Sequence, residues 1–345
     1  MDASITAEQL GEVAVVERVG ERAASRLVEL RALFGADLEY VERELAEAAA
    51  DGFRPATQSA AHLLQAGGKR VRPLCVLLSA ACFHGADARV ARDLAVVSEL
   101  VHLATLLHDD VIDDADTRRG EVAARRIWGN AVSVLAGDLL LTHALERTAA
   151  ASPGDTMTEL IATLRRLVDG EVIQLRGRVS VDASESVYFA IVEGKTASLF
   201  SWAARAGART GGASPAHVEA LGAFGRDLGV AFQLVDDALD YQGDPARTGK
   251  KLLGDLREGK VTLPLLVTLA ARPELSRALD RAREGDEGAA ADLHAAVVAC
   301  RGADVARTRA QKNTRAALAS LDSLPPSPAR DLLAALATEL TSRAF

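Results

Sequence analysis

Helical periodicity recurs along almost the whole 345-residue chain, and the pattern contains no convincing strand. Apolar residues return every three or four positions, as on the buried face of an amphipathic helix, and Gly, Pro, Asp and Ser separate the stretches. The sequence therefore predicts an all-α fold in one domain over residues 1–345, with no linker longer than a loop. The predicted helices span residues 7–33, 37–50, 54–66, 71–84, 88–113, 130–150, 155–177, 184–210, 214–241, 260–271, 274–283, 287–300, 302–322 and 327–343.

Composition and charge exclude several classes of protein. Apolar residues make up 49% of the chain, enough for a core, and a net charge of −8 is no nucleic-acid signature. The most apolar window, residues 261–271, contains Pro264 and is far shorter than the roughly 20 residues of a transmembrane helix. The first residues lack the pattern of a signal peptide. Cys75, Cys82 and Cys300 lack metal-ligand spacing and read as reduced core thiols, so we expect a cytoplasmic protein.

Two similar acidic motifs, LLHDDVIDDAD and FQLVDDALDY, each follow an apolar helix. In a helix, residues four apart lie on one face, so each motif presents two carboxylates together. Oxygen ligands without nearby His or Cys favour a hard ion such as Mg²⁺, whose shell substrate phosphates and water complete. A single copy would equally suit a solvated helix end, but two copies favour metal binding. The carboxylates are Asp109, Asp110, Asp113, Asp236, Asp237 and Asp240.

Basic residues cluster beside the acidic motifs or at helix starts. The segment GGKRVRP places Lys69, Arg70 and Arg72 where a helix begins, and there backbone N–H groups and the helix dipole favour an anion. Arg118 and Arg119 follow the first acidic motif and suit phosphate oxygens that a metal does not reach. The sequence thus predicts a phosphate-bearing substrate. Three further cations near the second motif are Lys195, Lys250 and Lys260.

In their order, these motifs resemble those of the trans-isoprenyl diphosphate synthases, also called polyprenyl synthetases. The resemblance runs from about residue 67 to about residue 264, and its matching segments are GGKRVRP, ELVHLATLLHDDVIDDADTRRG, AGDLLL, GEVIQL, GKTASLF and FGRDLGVAFQLVDDALDY. It implies a helical bundle of the isoprenoid synthase type around a central active-site cavity. Peripheral helices would occupy residues 1–66, a catalytic core about 67–271, and C-terminal helices 272–345.

The resemblance also implies a prenyltransferase reaction. An allylic diphosphate, held by three Mg²⁺ between the acidic motifs, would lose its diphosphate, and isopentenyl diphosphate would attack the resulting cation. No side-chain nucleophile is needed, which agrees with the lack of a persuasive Ser/His/Asp or Cys/His constellation. The family further implies a homodimer without a membrane span, whose lipophilic product can be released at a membrane.

Site residues follow from the resemblance by position. The metal ligands would be Asp109, Asp110, Asp113, Asp236 and Asp240, supported by Asp237. The allylic diphosphate would contact Arg118, Lys195, Lys250 and Lys260, and isopentenyl diphosphate would contact Lys69, Arg72, His102 and Arg119. Thr196 and Gln233, which with Lys195 form the catalytic set, would face the allylic cation.

Two features depart from the family pattern. Where GKPxGxDL is common, this chain reads GKKLLGDL, so that Lys251 replaces a Pro and Leu253 a Gly. The geometry of that loop is therefore open. Asp114 and Asp116 add charge beyond the first motif, and we expect them to be solvated or to support the ligands.

The helix before the first motif bears on product length. The growing apolar chain of the product would run beside residues 97–108. There the rise of one helical turn, about 5.4 Å, is comparable with the length of one isoprene unit. Ala104 and Thr105 are small, and Val101 follows a turn away, so no aromatic side chain closes the path. We predict an all-trans product of roughly seven to ten units. A floor supplied by another helix would instead give a geranylgeranyl or farnesyl product.

Three other classes of protein share parts of this pattern. A class I terpene cyclase has the first acidic motif, but its second metal site usually includes Asn, Ser or Thr, whereas this chain has DDALD. The pair His108 and Asp109 resembles that of metal-dependent phosphohydrolases, yet this leaves the second motif unexplained. A non-catalytic subunit of a heteromeric synthase tends to have lost one acidic motif, and here both are intact.

Overall fold

The computed structural model describes residues 34–151, 155–179, 184–242 and 253–342. These ranges are helical apart from short connections and one hairpin of two-residue strands, β1 (Thr117–Arg118) and β2 (Glu121–Val122). The predicted all-α fold is confirmed. Up to α8 the helices are α1 (described over 34–50), α2 (Ala56–Gln65), α3 (Val71–Ala81), α4 (Ala88–Ile112), α5 (Ala124–Trp128), α6 (Asn130–Ala151), α7 (Asp155–Val179) and α8 (Glu185–Val192). After a π-helical turn (Glu193–Ala197) come α9 (Ser198–Thr210), α10 (Pro215–Gln242), α11 (Gly254–Arg257), α12 (Leu263–Ala271), α13 (Ser276–Arg283), α14 (Glu287–Ala299), α15 (Gly302–Ser320) and α16 (Pro328–Thr341).

Helices α4 and α10 run through the interior of the bundle. Helix α4 packs on α3 and α6, and helix α10 packs on α9 and α15. Their long apolar runs make them buried on several sides, as expected of helices without a wide polar face. Each carries an acidic motif at its C-terminal end. The partial negative charge of a helix C-terminus repels carboxylates, so both ends require nearby cations.

Buried side chains form two apolar clusters. The larger cluster includes Val41 of α1, most of α4, and Leu340 of α16, so it joins the two ends of the described chain. The smaller cluster is built from α8, the second half of α10, and α11 to α15. Helix α10 belongs to both clusters, and its acidic motif lies on the side of the smaller one.

The sequence predicts one helix over 184–210, but the structure divides it at the π-helical turn. Gly194 in this turn meets α7 backbone to backbone: a Cβ on Gly194 would lie 2.8 Å from the carbonyl oxygen of Arg166, and one on Gly170 would lie 2.9 Å from the amide nitrogen of Lys195. Only glycines permit this approach. Single π-helical turns of this kind often mark functional positions.

Close packing of α9 on α10 brings the π-helical turn against the second acidic helix. A Cβ on Gly225 would lie 2.4 Å from the carbonyl oxygen of Phe200, and one on Gly229 would lie 2.6 Å from Cα of Ala197. Two glycines one turn apart therefore let the helix backbones touch. Residues on the turn consequently lie beside the side chains of α10 one turn further on. Among the described residues, no helix is both long and apolar enough to cross a membrane.

Candidate active site

Each carboxylate of the first acidic motif faces one cation. Nζ of Lys195 lies 3.4 Å from Oδ2 of Asp109, and Nζ of Lys260 donates to Oδ2 of Asp113 at 2.8 Å. Nε of Arg118 donates to Oδ1 of Asp110 at 2.6 Å. The three cations come from three separate segments of the chain. They supply the positive charge that the end of α4 requires.

Burial controls the charge of these groups. Burial raises the pKa of Asp109 and of Asp110, although Lys195 and Arg118 respectively oppose the rise. Burial also disfavours the ammonium of Lys260, but the carboxylates of Asp113 and Glu258 outweigh it and raise its pKa. Lys260 therefore stays charged. Oδ2 of Asp110 is buried and has no hydrogen-bond partner among the described residues.

The second motif is tied to protein groups on α10 and beyond. Asp237 accepts from the Tyr188 hydroxyl at 2.5 Å and from Nε2 of Gln233 at 2.7 Å. Asp240 accepts from the backbone N–H groups of Gly254 at 3.0 Å and of Asp255 at 3.3 Å, at the start of α11. Both oxygens of each carboxylate thus already accept a hydrogen bond from the protein.

Consecutive residues of the π-helical turn contact the two motifs. Lys195 reaches Asp109 of the first motif, while the hydroxyl of Thr196 donates to Oε1 of Gln233 at 2.9 Å, and Gln233 donates to Asp237 of the second. The chain around α11 also connects the two motifs. The amide of Gly254, at the start of α11, donates to Asp240, and Lys260, shortly after α11, donates to Asp113. The two motifs are therefore parts of one site.

A basic cluster lies next to the first motif. The guanidiniums of Arg70 and Arg119 approach Gly68, where a Cβ would lie 2.5 Å and 3.2 Å from their Nη1 atoms. Cζ of Arg72 stands 4.7 Å from the centre of the Phe200 ring, and its Nε is buried without a hydrogen-bond partner in the part of the chain that the structure describes. This cluster offers several donors to an anion, as the sequence predicted for GGKRVRP.

Arg70 has a structural part in this cluster. It begins α3 in the left-handed region at φ 51, is buried, and donates to both oxygens of Glu42 at 2.6 and 2.9 Å and to Glu99 at 2.8 Å. Its charge is thereby offset, which leaves Arg72 and Arg119 to face an anion. Lys69 is exposed beside them.

His102 lies within the field of this cluster. Burial lowers the pKa of its imidazole well below 6.5, and the guanidiniums of Arg72, Arg119, Arg118 and Arg70 lower it further. The ring is therefore neutral at pH 7. A neutral imidazole has one N–H to donate, so His102 can bind a phosphate oxygen without adding charge.

Glu171 is a site residue that sequence reasoning missed. It lies on α7, is mostly buried, contacts Nζ of Lys195 and accepts from Nε2 of Gln174 at 3.3 Å. Lys195 is thus held between Glu171 and Asp109. The GEVIQL segment was a signal for this position, but nothing in its local pattern connects it to a lysine 24 positions later.

Several predicted residues have other surroundings. Asp114 pairs with Arg125, and Asp116 lies 3.2 Å from Nε of Arg126, so both extra acids are ion-paired outside the site. Nε2 of His108 lies 3.2 Å from the carbonyl oxygen of Val134 and 3.3 Å from Asp138, on α6. This directs His108 away from Asp109 and weakens the phosphohydrolase alternative. Lys250 and Lys251 lie outside the described residues.

Leu253, which replaces a Gly of the family pattern, has φ 63. This left-handed conformation is one that Gly adopts easily and Leu rarely does. The Leu253 side chain is buried in the smaller apolar cluster. Its amide also donates to the backbone carbonyl of Asp240 at 3.1 Å. Leu253 therefore adopts here a backbone conformation that usually belongs to Gly.

The product-length residues line one part of α4. Ala104 and Val101 are buried in the larger cluster, whereas Thr105, one turn before Asp109, is partly exposed and donates to the carbonyl oxygen of His102 at 2.8 Å. Phe232 of α10 is half-buried against the same cluster.

The donor set suits a hard divalent ion. The predicted ligands are all carboxylates, and Asp110 has a buried oxygen that no other described residue satisfies. Within the described ranges, no three His, Cys, Asp or Glu side chains come close enough together to hold a metal. An ion here would complete its shell with substrate oxygens and water, which is the usual arrangement for Mg²⁺.

The helical bundle, the paired carboxylate motifs and the adjacent basic cluster are typical of an enzyme that binds diphosphate substrates. The family model for polyprenyl synthetase matches residues 54–300. The chain belongs to that family, whose members condense isopentenyl diphosphate with allylic diphosphates and are generally Mg²⁺-dependent.

Individual relatives agree with this membership. The octaprenyl diphosphate synthase of Escherichia coli (strain K12) is 36% identical over 279 residues, 80% of this chain and 86% of the relative. Component 2 of the heptaprenyl diphosphate synthase of Geobacillus stearothermophilus is 37% identical over 312 residues, 90% of this chain and 96% of the relative. The crystal structure of a polyprenyl synthase from Caulobacter crescentus CB15, complexed with calcium and isoprenyl diphosphate, matches with a TM-score of 0.85 and 38% identity, covering 91% and 97% of the two chains.

The neutral state of His102 has a consequence for stability in the absence of substrate. Because the pKa of His102 is lower in the folded protein, its imidazole stays neutral there while it becomes protonated in the unfolded chain. The free energy of unfolding therefore decreases as pH falls below 6.5. We expect the wild type to lose about 1.4 kcal/mol of unfolding free energy per pH unit there, relative to His102→Gln. Urea denaturation between pH 8 and pH 5 measures this. Equal slopes for both proteins would contradict it.

Proposed function

We propose that the chain is an Mg²⁺-dependent all-trans polyprenyl diphosphate synthase that adds isopentenyl diphosphate units to an allylic diphosphate. One observation carries the proposal: Lys195 contacts the first acidic motif, while Thr196 next to it connects through Gln233 to the second. A diphosphate between the motifs would thus lie beside both a cation and two neutral dipoles. We propose one catalytic domain in a cytoplasmic protein.

The reaction begins with departure of the diphosphate. The bond between C1 of the allylic chain and its diphosphate oxygen breaks, and the electron pair leaves with the oxygen. Lys195, Lys260 and Arg118 stand beside the carboxylates of α4 and offset the charge that develops on the leaving group. When bound, Mg²⁺ held by Asp109, Asp110, Asp113, Asp236 and Asp240 would supply Lewis-acid stabilisation to the same oxygens.

The second substrate binds at the basic cluster. Arg72, Arg119 and Lys69 supply positive charge and His102 a neutral N–H, a combination that suits the diphosphate of isopentenyl diphosphate. The carbon–carbon double bond of this substrate attacks C1 of the allylic cation and forms the new bond. A proton then leaves the condensed chain, and the departing diphosphate accepts it.

The allylic cation itself is stabilised by dipoles. The oxygens of Thr196 and Gln233 lie 2.9 Å apart and carry partial negative charge, which would face the carbon that becomes positive. Neither group is a strong base at neutral pH, so neither removes a proton from the cation prematurely. This preorganised polar surface stabilises the transition state without rearrangement.

Product length depends on what bounds the apolar path beside α4. The residues four and five before Asp109 are Thr105 and Ala104, neither of which is aromatic, and Thr105 is partly exposed in the absence of substrate. We propose a long product of roughly seven to ten units. The octaprenyl and heptaprenyl names of the two relatives support this choice.

A homodimer is supported by an exposed apolar surface on α6 and α7. Ile161, Val168 and Val172 are seven and four positions apart, so they share one face of α7, and Val168 is 61% exposed. Leu135 of α6 is 59% exposed. Helices α6 and α7 contact each other, and large exposed apolar patches mark interaction sites. We propose that a second copy of the chain covers this surface.

Condensation is tested with purified protein, Mg²⁺, labelled isopentenyl diphosphate and geranyl or farnesyl diphosphate. We expect elongated products by mass analysis, and a loss of kcat on the order of 100-fold or more in Asp109→Ala, because leaving-group stabilisation fails. Asp116→Ala is the matched control, since that acid pairs with Arg126 outside the site, and its activity should stay within about twofold of wild type. Absence of elongated product would refute the function, and diphosphate release without isopentenyl incorporation would favour a cyclase.

Product length is tested with Ala104→Phe and Thr105→Phe. Each places an aromatic ring across the apolar path below the metal-binding motif, so products should shorten to about three or four units. Ala104 is tightly packed, so its variant should also lose about 1–3 kcal/mol of stability, and circular dichroism checks that both variants fold. Wild-type product length in both folded variants would show that α4 does not bound the path.

The dimer is tested with Leu135→Asp and Val168→Asp in analytical ultracentrifugation. A charge buried at the contact should raise the dissociation constant on the order of 100-fold or more. Val298→Asp is the control, because that Val is 48% exposed on α14, away from the proposed surface. A wild type that sediments as a monomer would exclude self-association and leave the surface for a different subunit, as the name of the Geobacillus relative suggests for that protein.

A further inference from the structure

Tyr188 connects α8 to the second acidic motif, although its sequence neighbours carry no functional signal. Its ring is buried in the smaller apolar cluster, and its hydroxyl donates to Oδ2 of Asp237 at 2.5 Å across 49 positions of chain. Only three tyrosines occur in the chain. A buried hydroxyl bonded to a buried carboxylate satisfies both groups, so the contact fixes the position of Asp237.

The hydrogen bonds continue from Asp237 through the side-chain amide of Gln233 to Thr196. Nε2 of Gln233 donates to Oδ1 of Asp237 at 2.7 Å, so the NH₂ end of the amide faces this carboxyl group. The carbonyl oxygen of Gln233 then necessarily points the other way, towards the Thr196 hydroxyl at 2.9 Å. The hydrogen bonds on the two sides of the amide therefore determine which of its ends faces which neighbour.

We propose that Tyr188 is a positioning residue for the allylic-cation site and acts through Asp237 on Gln233. The inference rests on the proposed function and adds a role to it. Tyr188 holds Asp237, Asp237 holds the Gln233 amide, and the amide presents its oxygen with that of Thr196 towards the substrate. A rotated amide would present positive N–H groups to a cation instead.

The same network assigns Asp237 a role different from the predicted one. The sequence predicted that Asp237 supports the metal ligands of the second motif, whereas its two oxygens accept from Tyr188 and Gln233, and the side chain is almost fully buried. We therefore place Asp237 in the support of Gln233. Asp236 and Asp240 remain the proposed ligands of the second motif.

Tyr188→Phe removes only the hydroxyl and leaves the ring in its apolar surroundings. We expect kcat to fall about tenfold, because Oδ2 of Asp237 loses its donor and the Gln233 amide loses its fixed orientation. KM for both substrates should stay within about twofold, since the diphosphate contacts are unchanged. Calorimetric titration with geranyl S-thiolodiphosphate, which does not ionise readily, should give an unchanged Kd.

Tyr40→Phe is the matched control. Tyr40 also donates its hydroxyl to an aspartate, Asp93, at 2.9 Å, but it joins α1 to α4 far along the helix from the acidic motif. Both variants lose a Tyr–Asp hydrogen bond, so a purely structural effect would appear in both. We expect the kcat of Tyr40→Phe to equal that of the wild type. An equal fall in both variants would overturn the proposal.

Combination with Gln233→Leu tests the direction of the effect. If Tyr188 acts through Gln233, adding Tyr188→Phe to Gln233→Leu should change kcat less than twofold, whereas independent action would repeat the tenfold loss and refute the proposal. The Mg²⁺ concentration for half-maximal activity should be the same in Asp237→Asn as in the wild type. A large increase would return Asp237 to the metal ligands. The wild type reports separately on the proposed function, because its activity is measured before any variant is compared.

Discussion

Repulsion among carboxylates at the ends of two buried helices is the constraint on which the site depends. Helices α4 and α10 both end in aspartates, where the helix dipole already disfavours negative charge. Such ends are tolerable only when cations and hydrogen-bond donors from elsewhere in the chain reach them. Lys195, Lys260 and Arg118 meet this need at α4, and the start of α11 meets it at Asp240.

This constraint also explains why the site draws on so many segments. The π-helical turn between α8 and α9 contributes Lys195 to one motif and Thr196 to the other, from adjacent positions. Glycines on α7 and α10 let the backbone of the turn approach both helices. Charge compensation and close packing are therefore produced by the same short stretch of chain.

Much of the architecture could be predicted from local pattern. The periodicity predicted the first and last residues of α4 and α10 to within one or two positions. The acidic motifs and the cations near them were recognisable directly from their residue types and spacing. The π-helical turn was missed because the pattern of residues 184–210 is that of one continuous helix. The change from α-helix to π-helix depends on the contact between Gly170 and Gly194, which are distant in sequence. Glu171 and Tyr188 were missed for a related reason: their partners are distant in sequence, and neither residue type is unusual in a helix. Lys250 was predicted for a segment outside the described residues.

Leu253 has a consequence for the stability of the start of α11. A left-handed Leu costs about 1–2 kcal/mol of backbone strain, but burying its side chain contributes about 1.5–3 kcal/mol. Packing of the Leu253 side chain in the apolar cluster thus stabilises the turn. A Gly at this position would add no such packing, because it has no side chain. Loosening of that cluster by heat would release the turn, and with it the backbone donors that Asp240 accepts from. In this chain the temperature at which Asp240 loses its backbone donors therefore depends on the packing of α11 to α15.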